Sequence, residues 1–325
     1  MMAVFTALPR SAIGRCVHEF GQGGVRSIRG TVLGSENSNF YVHTLERRLV
    51  ATVLEASSVA APSFSACLAY ALCLNGLPTP APCCCTNAPL CATVGGMILV
   101  AGANLVGRVA ILAGQAAASR AAGTLGVLHL ACIGCMYYCP HIHGEAWVRA
   151  SARLAAVHSP RGSQHALEHE TSLLARLVLS PGYDRLPRGL CHYDLFQDNV
   201  SLVAPSRTAR ERLSGCFDFH FAGCGQLVMD AAILSEAWRA HCAGRERWYM
   251  ARAALHAYQT LRPLARRERS CIIEALRAAS IRFWTSRLCG YYRHRVAGIR
   301  SLHEPRAFRP AWHVRIAKPV DKRGT

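Results

Sequence analysis

Short apolar runs separated by polar turns fill residues 25–55 and predict three β-strands. β-Branched and aromatic residues occupy VRSIRGTVLG, NFYVHT and LVATVL, and the turn-prone stretch GSENSN separates the first two runs. Such runs bounded by turn residues are typical of a β-meander. The run MILVAG predicts a further strand at residues 97–102.

Longer amphipathic segments predict a mainly helical chain after residue 109. A helix before this region, ACLAYALCLNG, ends in Asn-Gly, which is a common helix stop. A short strand–loop–strand unit at about residues 189–222 interrupts the helical region. The predicted helices lie at residues 111–131, 145–158, 165–179, 226–243, 246–261 and 266–292.

Charge is distributed unevenly along the 325 residues. Residues 56–107 contain no Asp, Glu, Lys or Arg, but five prolines interrupt this stretch, so it does not predict a membrane span. The net charge of +18 comes from scattered arginines with no basic block, which does not favour nucleic-acid binding. The two lysines, Lys318 and Lys322, lie in the C-terminal tail, and this excludes P-loop and pyridoxal chemistry.

Sixteen cysteines raise the question of redox state. The N-terminus lacks the pattern of a signal peptide, and the cysteine spacing does not fit a small disulfide scaffold. We therefore expect reduced thiols in the cytoplasm. One group could instead hold a zinc ion or an iron–sulfur cluster, although its spacing fits no standard motif: Cys132, Cys135, Cys139, His141 and His143.

Aspartate is rare and crowded into one region. Five of the six aspartates lie within 47 residues: Asp184, Asp194, Asp198, Asp218 and Asp230. In a chain so poor in aspartate, this crowding indicates that carboxylates are needed there. We interpret Asp184 and Asp198 as loop or capping residues, and Asp230 as a residue that caps or braces the neighbouring loop.

The pattern His192-x-Asp194-x-x-x-x-Asn199, followed by Asp218, has the residue types that phosphoryl transfer requires. One carboxylate accepts the proton of the acceptor hydroxyl, and magnesium neutralises the phosphate oxygens. Asp194 is the predicted base, and Asn199 and Asp218 are the predicted magnesium ligands, because magnesium prefers hard oxygen ligands. His192 would brace the loop. Aspartate and asparagine are also common turn residues, so a loop without catalysis remains an alternative.

Several segments resemble, in order, the homoserine kinase family of the aminoglycoside-phosphotransferase, protein-kinase-like fold. They are GSENSNFYV, LPRGLCHYDLFQDNV, DFHFAGC, LVMDAAI, LRPLARRER and AASIRFWTSRL. The resemblance runs from about residue 29 to 310 and is weak over residues 83–145. It implies that the chain uses ATP and Mg²⁺ to phosphorylate L-homoserine to O-phospho-L-homoserine, a step toward threonine.

The residues that hold the nucleotide phosphates are less evident. Protein kinases place a lysine on the third strand, and in this chain Thr52 stands near that position. Successive backbone amides in a turn can bind an anion, so the polar turn after the first strand is the candidate nucleotide site. Its residues are Ser35, Glu36, Asn37, Ser38 and Asn39. An ordinary polar hairpin is the alternative.

Arg282 and Arg287 are the candidate substrate-binding residues. They lie on a predicted helix that should face the acceptor if the resemblance holds, and arginine can bind the α-carboxylate of homoserine with two hydrogen bonds. An arginine on an amphipathic helix is also commonly a solvated surface residue.

Together these features predict an α+β, two-lobed, protein-kinase-like fold. Residues 1–103 would form the antiparallel, β-rich, nucleotide-facing lobe, and residues 104–325 the helical lobe with the catalytic loop and a basic tail. ATP and L-homoserine are the expected partners, without nucleic acid or membrane. Two alternatives remain open: a kinase of the same fold for a choline-like or aminosugar acceptor, and a non-catalytic protein with a drifted kinase fold.

Overall fold

A computed structural model describes residues 8–31, 37–54, 60–83, 90–111, 114–133, 139, 141, 143–204, 211–296 and 305–309. The chain forms two compact units. The first comprises Met1–Val109 and Val200–His220, and the second comprises Ala110–Asn199 and Phe221–Thr325.

Within the described residues, the first unit contains an antiparallel sheet of five strands in the order β1-β2-β3-β5-β4. Its strands are β1 (Val25–Gly30), β2 (Ser38–Thr44), β3 (Arg48–Leu54), β4 (Ala92–Val94) and β5 (Met97–Ala103). The predicted meander and the predicted strand at 97–102 therefore form one sheet, and β4 is a short strand that the sequence did not predict.

Helix α1 (Arg10–Glu19), also not predicted, covers the inner face of this sheet. Its residues Ile13, Val17 and the adjoining Phe20 are buried in one apolar cluster with the strands. The strand members of that cluster include Ile28, Phe40, Val42, Leu49, Val53 and Leu99. Burial of these side chains is the main stabilisation of the first unit.

The first unit also contains α2 (Ala60–Leu74) and a three-stranded sheet in the order β6-β8-β9. These strands are β6 (Arg108–Val109), β8 (Val200–Val203) and β9 (Arg212–Cys216), and both pairings are antiparallel. The Cys216 N–H donates to the Pro78 carbonyl at 2.8 Å, which fixes β9 to the segment after α2.

The second unit is a helical assembly with one two-stranded antiparallel sheet, β7 (Arg188–Cys191) with β10 (Gly223–Gln226). Its helices are α3 (Gln115–Ala131), α4 (Glu145–Val157), α5 (Arg161–Val178), α6 (Leu227–Arg239), α7 (Glu246–Leu261), α8 (Arg266–Ser270) and α9 (Ile272–Val296). The predicted helix at 266–292 is thus two helices that break at Cys271. The predicted α+β class is confirmed.

Small residues let the helices of the second unit approach closely. A Cβ added to Gly126 of α3 would lie 3.3 Å from Leu261 Cβ and 3.4 Å from the Tyr258 carbonyl oxygen of α7. Beyond α9, Phe308 is buried and lies 5.4 Å from the Phe283 ring, so residues 305–308 pack on the unit. In the part of the chain that the structure describes, no helix is both long and apolar enough to cross a membrane.

Candidate active site

The motif that starts at His192 forms a largely buried loop in the second unit. It leaves β7 and closes with one turn of 3-10 helix at Gln197–Asn199. The residues that flank Asp194 are buried: His192, Tyr193, Leu195 and Phe196. The Asp194 side chain remains partly exposed, so the loop presents this carboxylate while its neighbours anchor the backbone.

Asp194 and Asn199 contact each other across the loop. The Asn199 amide nitrogen donates to the Asp194 carbonyl at 2.7 Å and to the Asp194 carboxylate at 3.0 Å. The Asp194 N–H in turn donates to Nδ1 of His192 at 3.2 Å. Because Asn199 uses its nitrogen for Asp194, its side-chain carbonyl oxygen is the atom that can ligate a cation.

Asp230, in the first turn of α6, holds the start of this loop. Its carboxylate accepts the His192 N–H at 2.6 Å and the Tyr193 N–H at 2.8 Å. It also contacts Nε2 of His129 at 3.0 Å. Burial alone would raise the pKa of Asp230, but hydrogen bonding and the nearby His129 and His192 hold that pKa below its usual value.

The contacts continue behind Asp230 through three buried side chains. Because an ionised carboxylate can only accept, Nε2 of His129 donates to Asp230. Nδ1 of His129 contacts the Tyr258 hydroxyl at 2.7 Å, and Arg262 donates to that same hydroxyl at 3.0 Å. A chain of hydrogen bonds thus connects the end of α7, through α3 and α6, to the backbone of the loop.

The two candidate substrate arginines both lie on α9. Arg282 is buried and donates from Nη1 to the Tyr193 carbonyl at 2.6 Å, with its guanidinium 4.5 Å from the Phe283 ring centroid. Arg287 lies 5.6 Å from the Phe196 ring and 5.5 Å from the Phe308 ring. Arg282 thereby supports the loop. Binding of an acceptor carboxylate by Arg282 or Arg287 stays a prediction.

Asp218 follows β9 in the first unit. It has φ of 70°, in the left-handed region, and Nδ1 of His220 bonds to its Oδ1. Asp218 is exposed, and its carboxylate and the amide oxygen of Asn199 are both ligand types that suit Mg²⁺. Their assignment as metal ligands stays a prediction.

The candidate nucleotide residues are only partly described. Ser35 and Glu36 lie outside the described residues, whereas Asn37 and Ser38 are buried. Asn39 accepts a hydrogen bond from Thr52 Oγ1 at 2.7 Å, between paired positions of β2 and β3. Thr52 of β3 therefore orients Asn39.

The cysteine- and histidine-rich segment contacts the loop through aromatic rings. His141 stacks on Tyr193 with ring centroids 3.8 Å apart, and His143 lies 4.2 Å from the Trp147 ring. Cys135 lies outside the described residues. Among the described residues, the one cluster with metal-ligand proximity is His129, Cys191 and Asp230, whose ligand atoms lie within 4.8 Å. Asp230 accepts three hydrogen bonds at this cluster, and these bonds satisfy its carboxylate without a cation.

The sequence did not reveal that three residues contact the loop or the hydrogen-bond chain that reaches it: His129, Tyr258 and His141, the last of which was considered only as a possible metal ligand. His129 lies 101 positions from Asp230 and 129 positions from Tyr258. No local spacing connects positions so far apart, so a single sequence carries no signal for these contacts.

Comparison with known proteins gives a consistent result. Residues 27–266 match the model of the phosphotransferase enzyme family. A homoserine kinase from Burkholderia ambifaria is 33% identical over 319 residues, which cover 97% of this chain and 96% of that protein.

The fold resembles solved phosphotransferases at low sequence identity. An aminoglycoside phosphotransferase from Alicyclobacillus acidocaldarius has a TM-score of 0.61 at 13% identity, covering 96% of this chain and 92% of that chain. An amicoumacin kinase in complex with AMP-PNP and Ca²⁺ has a TM-score of 0.62 at 12% identity, covering 80% of each chain. These similarities confirm the predicted kinase-like fold.

Proposed function

We propose, from the premise that this chain belongs to the phosphotransferase enzyme family, that it is a homoserine kinase. It would transfer the γ-phosphoryl group of ATP to the hydroxyl of L-homoserine and release ADP and O-phospho-L-homoserine. The observation that carries the acceptor is the 33% identity to a homoserine kinase over 97% of this chain. This reaction would be one step toward threonine.

The loop geometry supports Asp194 as the base. Its carboxylate is partly exposed and is held by the amide nitrogen of Asn199 at 3.0 Å. As the homoserine oxygen bonds to the γ-phosphorus, Asp194 takes the hydroxyl proton, and the bond from phosphorus to the bridging oxygen breaks. The ADP oxygen leaves on the opposite side of the phosphorus, and no phosphoenzyme forms.

Asn199 and Asp218 are the residues that would hold Mg²⁺ in this proposal. The bound cation would neutralise charge on the phosphate oxygens. Asn199 contributes an amide oxygen, and its nitrogen keeps Asp194 at a fixed place beside it. His220 bonds to Asp218 and orients its carboxylate.

We place the enzyme in the cytoplasm, because the spacing of its cysteines does not fit a small secreted disulfide scaffold. The surplus of basic residues would attract the anionic nucleotide through its long-range field. Asn37, Ser38 and Asn39 remain the proposed contacts to the ATP phosphates, together with Ser35 and Glu36.

The first experiment is ADP release by purified protein with ATP and Mg²⁺, with and without L-homoserine. We expect release that depends on L-homoserine, and a phosphomonoester product by phosphorus NMR. O-methyl-L-homoserine is the matched control, because it keeps the amino acid part but lacks the reacting hydroxyl.

Other outcomes separate the alternatives. Turnover with choline or an aminoglycoside but not with L-homoserine would show a kinase with another acceptor. Failure to bind ATP, measured by calorimetry, would show a protein that has kept the fold without the activity.

A further inference from the structure

Tyr193, the residue before the proposed base, has an unfavourable backbone conformation that the structure fixes at two points. Its φ of 61° lies in the left-handed region, which non-glycine residues seldom adopt unless the surrounding structure holds them there. Its N–H donates to Asp230 at 2.8 Å, and its carbonyl accepts from Arg282 at 2.6 Å. The two bonds hold both backbone polar groups of this residue, and thus the peptide units on either side of it.

The Tyr193 ring is also closely surrounded by neighbouring residues. The residue is 3% exposed. A Cβ added to Gly225 of β10 would lie 1.7 Å from the Tyr193 hydroxyl, so the ring can occupy this place only because residue 225 is glycine. His141 stacks on the ring, with an angle of 23° between the ring planes.

His141 reaches this position because its segment is attached to the same strand. The Cys224 N–H of β10 donates to the Cys139 carbonyl at 2.6 Å. A Cβ added to Gly223 would lie 3.2 Å from the Cys139 carbonyl oxygen and 3.2 Å from the His141 Cα. The backbone around His141 thus runs closely along β10.

His141 is neutral at physiological pH, which suits a stacking role beside an arginine. Burial, followed by the charges of Arg282 and His143, lowers the pKa of His141 to about 2. His143 packs at 4.8 Å from Phe221, whose ring also lies 5.8 Å from Arg282. These contacts place His141 and Arg282 on one cluster around Tyr193.

We propose that His141 is a positioning residue for phosphoryl transfer, because its ring holds Tyr193 in the left-handed conformation that sets the backbone of Asp194. This inference rests on the proposed kinase function. It is based on the stack of the two rings at 3.8 Å and on the two hydrogen bonds that hold the Tyr193 backbone. It assigns a role to a segment that resembles the kinase family only weakly.

The kinetic test compares His141→Ala, His141→Leu and His141→Phe. Loss of the stacked ring should lower the fraction of molecules with a correctly placed loop, so the alanine and leucine variants should lose about two- to tenfold in kcat. The KM values for ATP and L-homoserine should stay within about twofold, since His141 would act through Tyr193 and not on a substrate. His141→Phe keeps a stacking ring and should restore kcat.

His158→Ala is the matched control. His158 also packs on a tyrosine in the second unit, with its ring 5.5 Å from Tyr292, but it makes no described contact with the loop. Its kcat should equal that of the wild type. Equal kcat for the His141 and His158 variants, or a raised KM with unchanged kcat in His141→Leu, would overturn the proposal.

A second measurement does not depend on activity. Hydrogen exchange of a peptide that covers residues 189–196 reports the His192 and Tyr193 amides that bond to Asp230. These amides should exchange about tenfold faster in His141→Leu and at the wild-type rate in His141→Phe. If the wild type does not phosphorylate homoserine, the proposed function fails while this result still decides whether His141 holds the loop. Unchanged exchange in His141→Leu would reject the role.

Discussion

At the scale of single residues, backbone strain coincides with the proposed chemistry. Among the described residues, the non-glycine residues with positive φ are Tyr193, at 61°, and Asp218, at 70°. Strained residues persist only where surrounding contacts hold them, and they cluster at functional sites. One precedes the proposed base and the other is a proposed magnesium ligand, which supports both assignments.

Replacing Asp194 with asparagine tests the base directly. The amide cannot accept the hydroxyl proton, so we expect kcat to fall at least about 100-fold. The side chain keeps its size and remains partly exposed, so the free energy of unfolding should change by less than about 0.5 kcal/mol. Steady-state kinetics and urea unfolding measure the two quantities.

Asp198→Asn is the matched control in the same loop. Asp198 is exposed, and its change to asparagine should leave kcat within about twofold. Retention of kcat in Asp194→Asn would reject its role as the base, whereas an equal loss in both variants would indicate a general disturbance of the loop.

At the scale of elements, Asp230 connects helices that are distant in sequence. Its carboxylate contacts the loop after β7 and His129 of α3, and His129 contacts Tyr258 of α7. The close approach of α3 and α7 at Gly126 makes this possible. The proposed catalytic loop thus depends on the packing of three helices.

The Asp230→Ala variant should be strongly destabilised. It leaves the buried N–H groups of His192 and Tyr193 without their acceptor, and each such group costs about 1–3 kcal/mol. We expect the free energy of unfolding to fall by about 3 kcal/mol or more in urea. Asp184→Ala, at an exposed aspartate of the same unit, should cost less than about 0.5 kcal/mol. Similar losses in the two variants would contradict the role of Asp230.

At the scale of the whole molecule, charge is far from balanced. The chain has 37 basic and 19 acidic residues. Local pairs offset part of the repulsion, such as Arg277 with Glu170 at 2.7 Å and Arg108 with Glu211 at 2.7 Å. The remaining positive charge repels itself more in the compact state than in the unfolded chain.

Salt should therefore stabilise this protein. The screening length falls from about 30 Å at 0.01 M salt to about 8 Å at 0.15 M, so the free energy of unfolding should rise over this range. Urea is the denaturant to use, because guanidinium is itself a salt. NaCl and KCl should act equally if screening is the cause. A fall in stability would mean that the ion pairs outweigh the net repulsion.

The sequence by itself determined the local features of this protein. The period of apolar residues was sufficient to predict helix α7, which begins and ends at the predicted residues 246 and 261. It was also sufficient to predict the strands of the meander. The short spacing from His192 to Asn199 likewise identified a loop whose members contact one another. Contacts between neighbours in sequence depend on local backbone geometry, which residue types encode directly.

Only the tertiary structure decided which distant residues meet. Helix α1, the return of Val200–His220 to the first unit, and the contacts of His129 and His141 with the loop all join segments far apart in sequence. Packed residues and exposed ones of the same type look alike in a single sequence, because burial depends on the neighbours that folding supplies. The motif was therefore sufficient to predict the proposed base. The side chains that contact its loop from distant helices could be identified only from the tertiary structure.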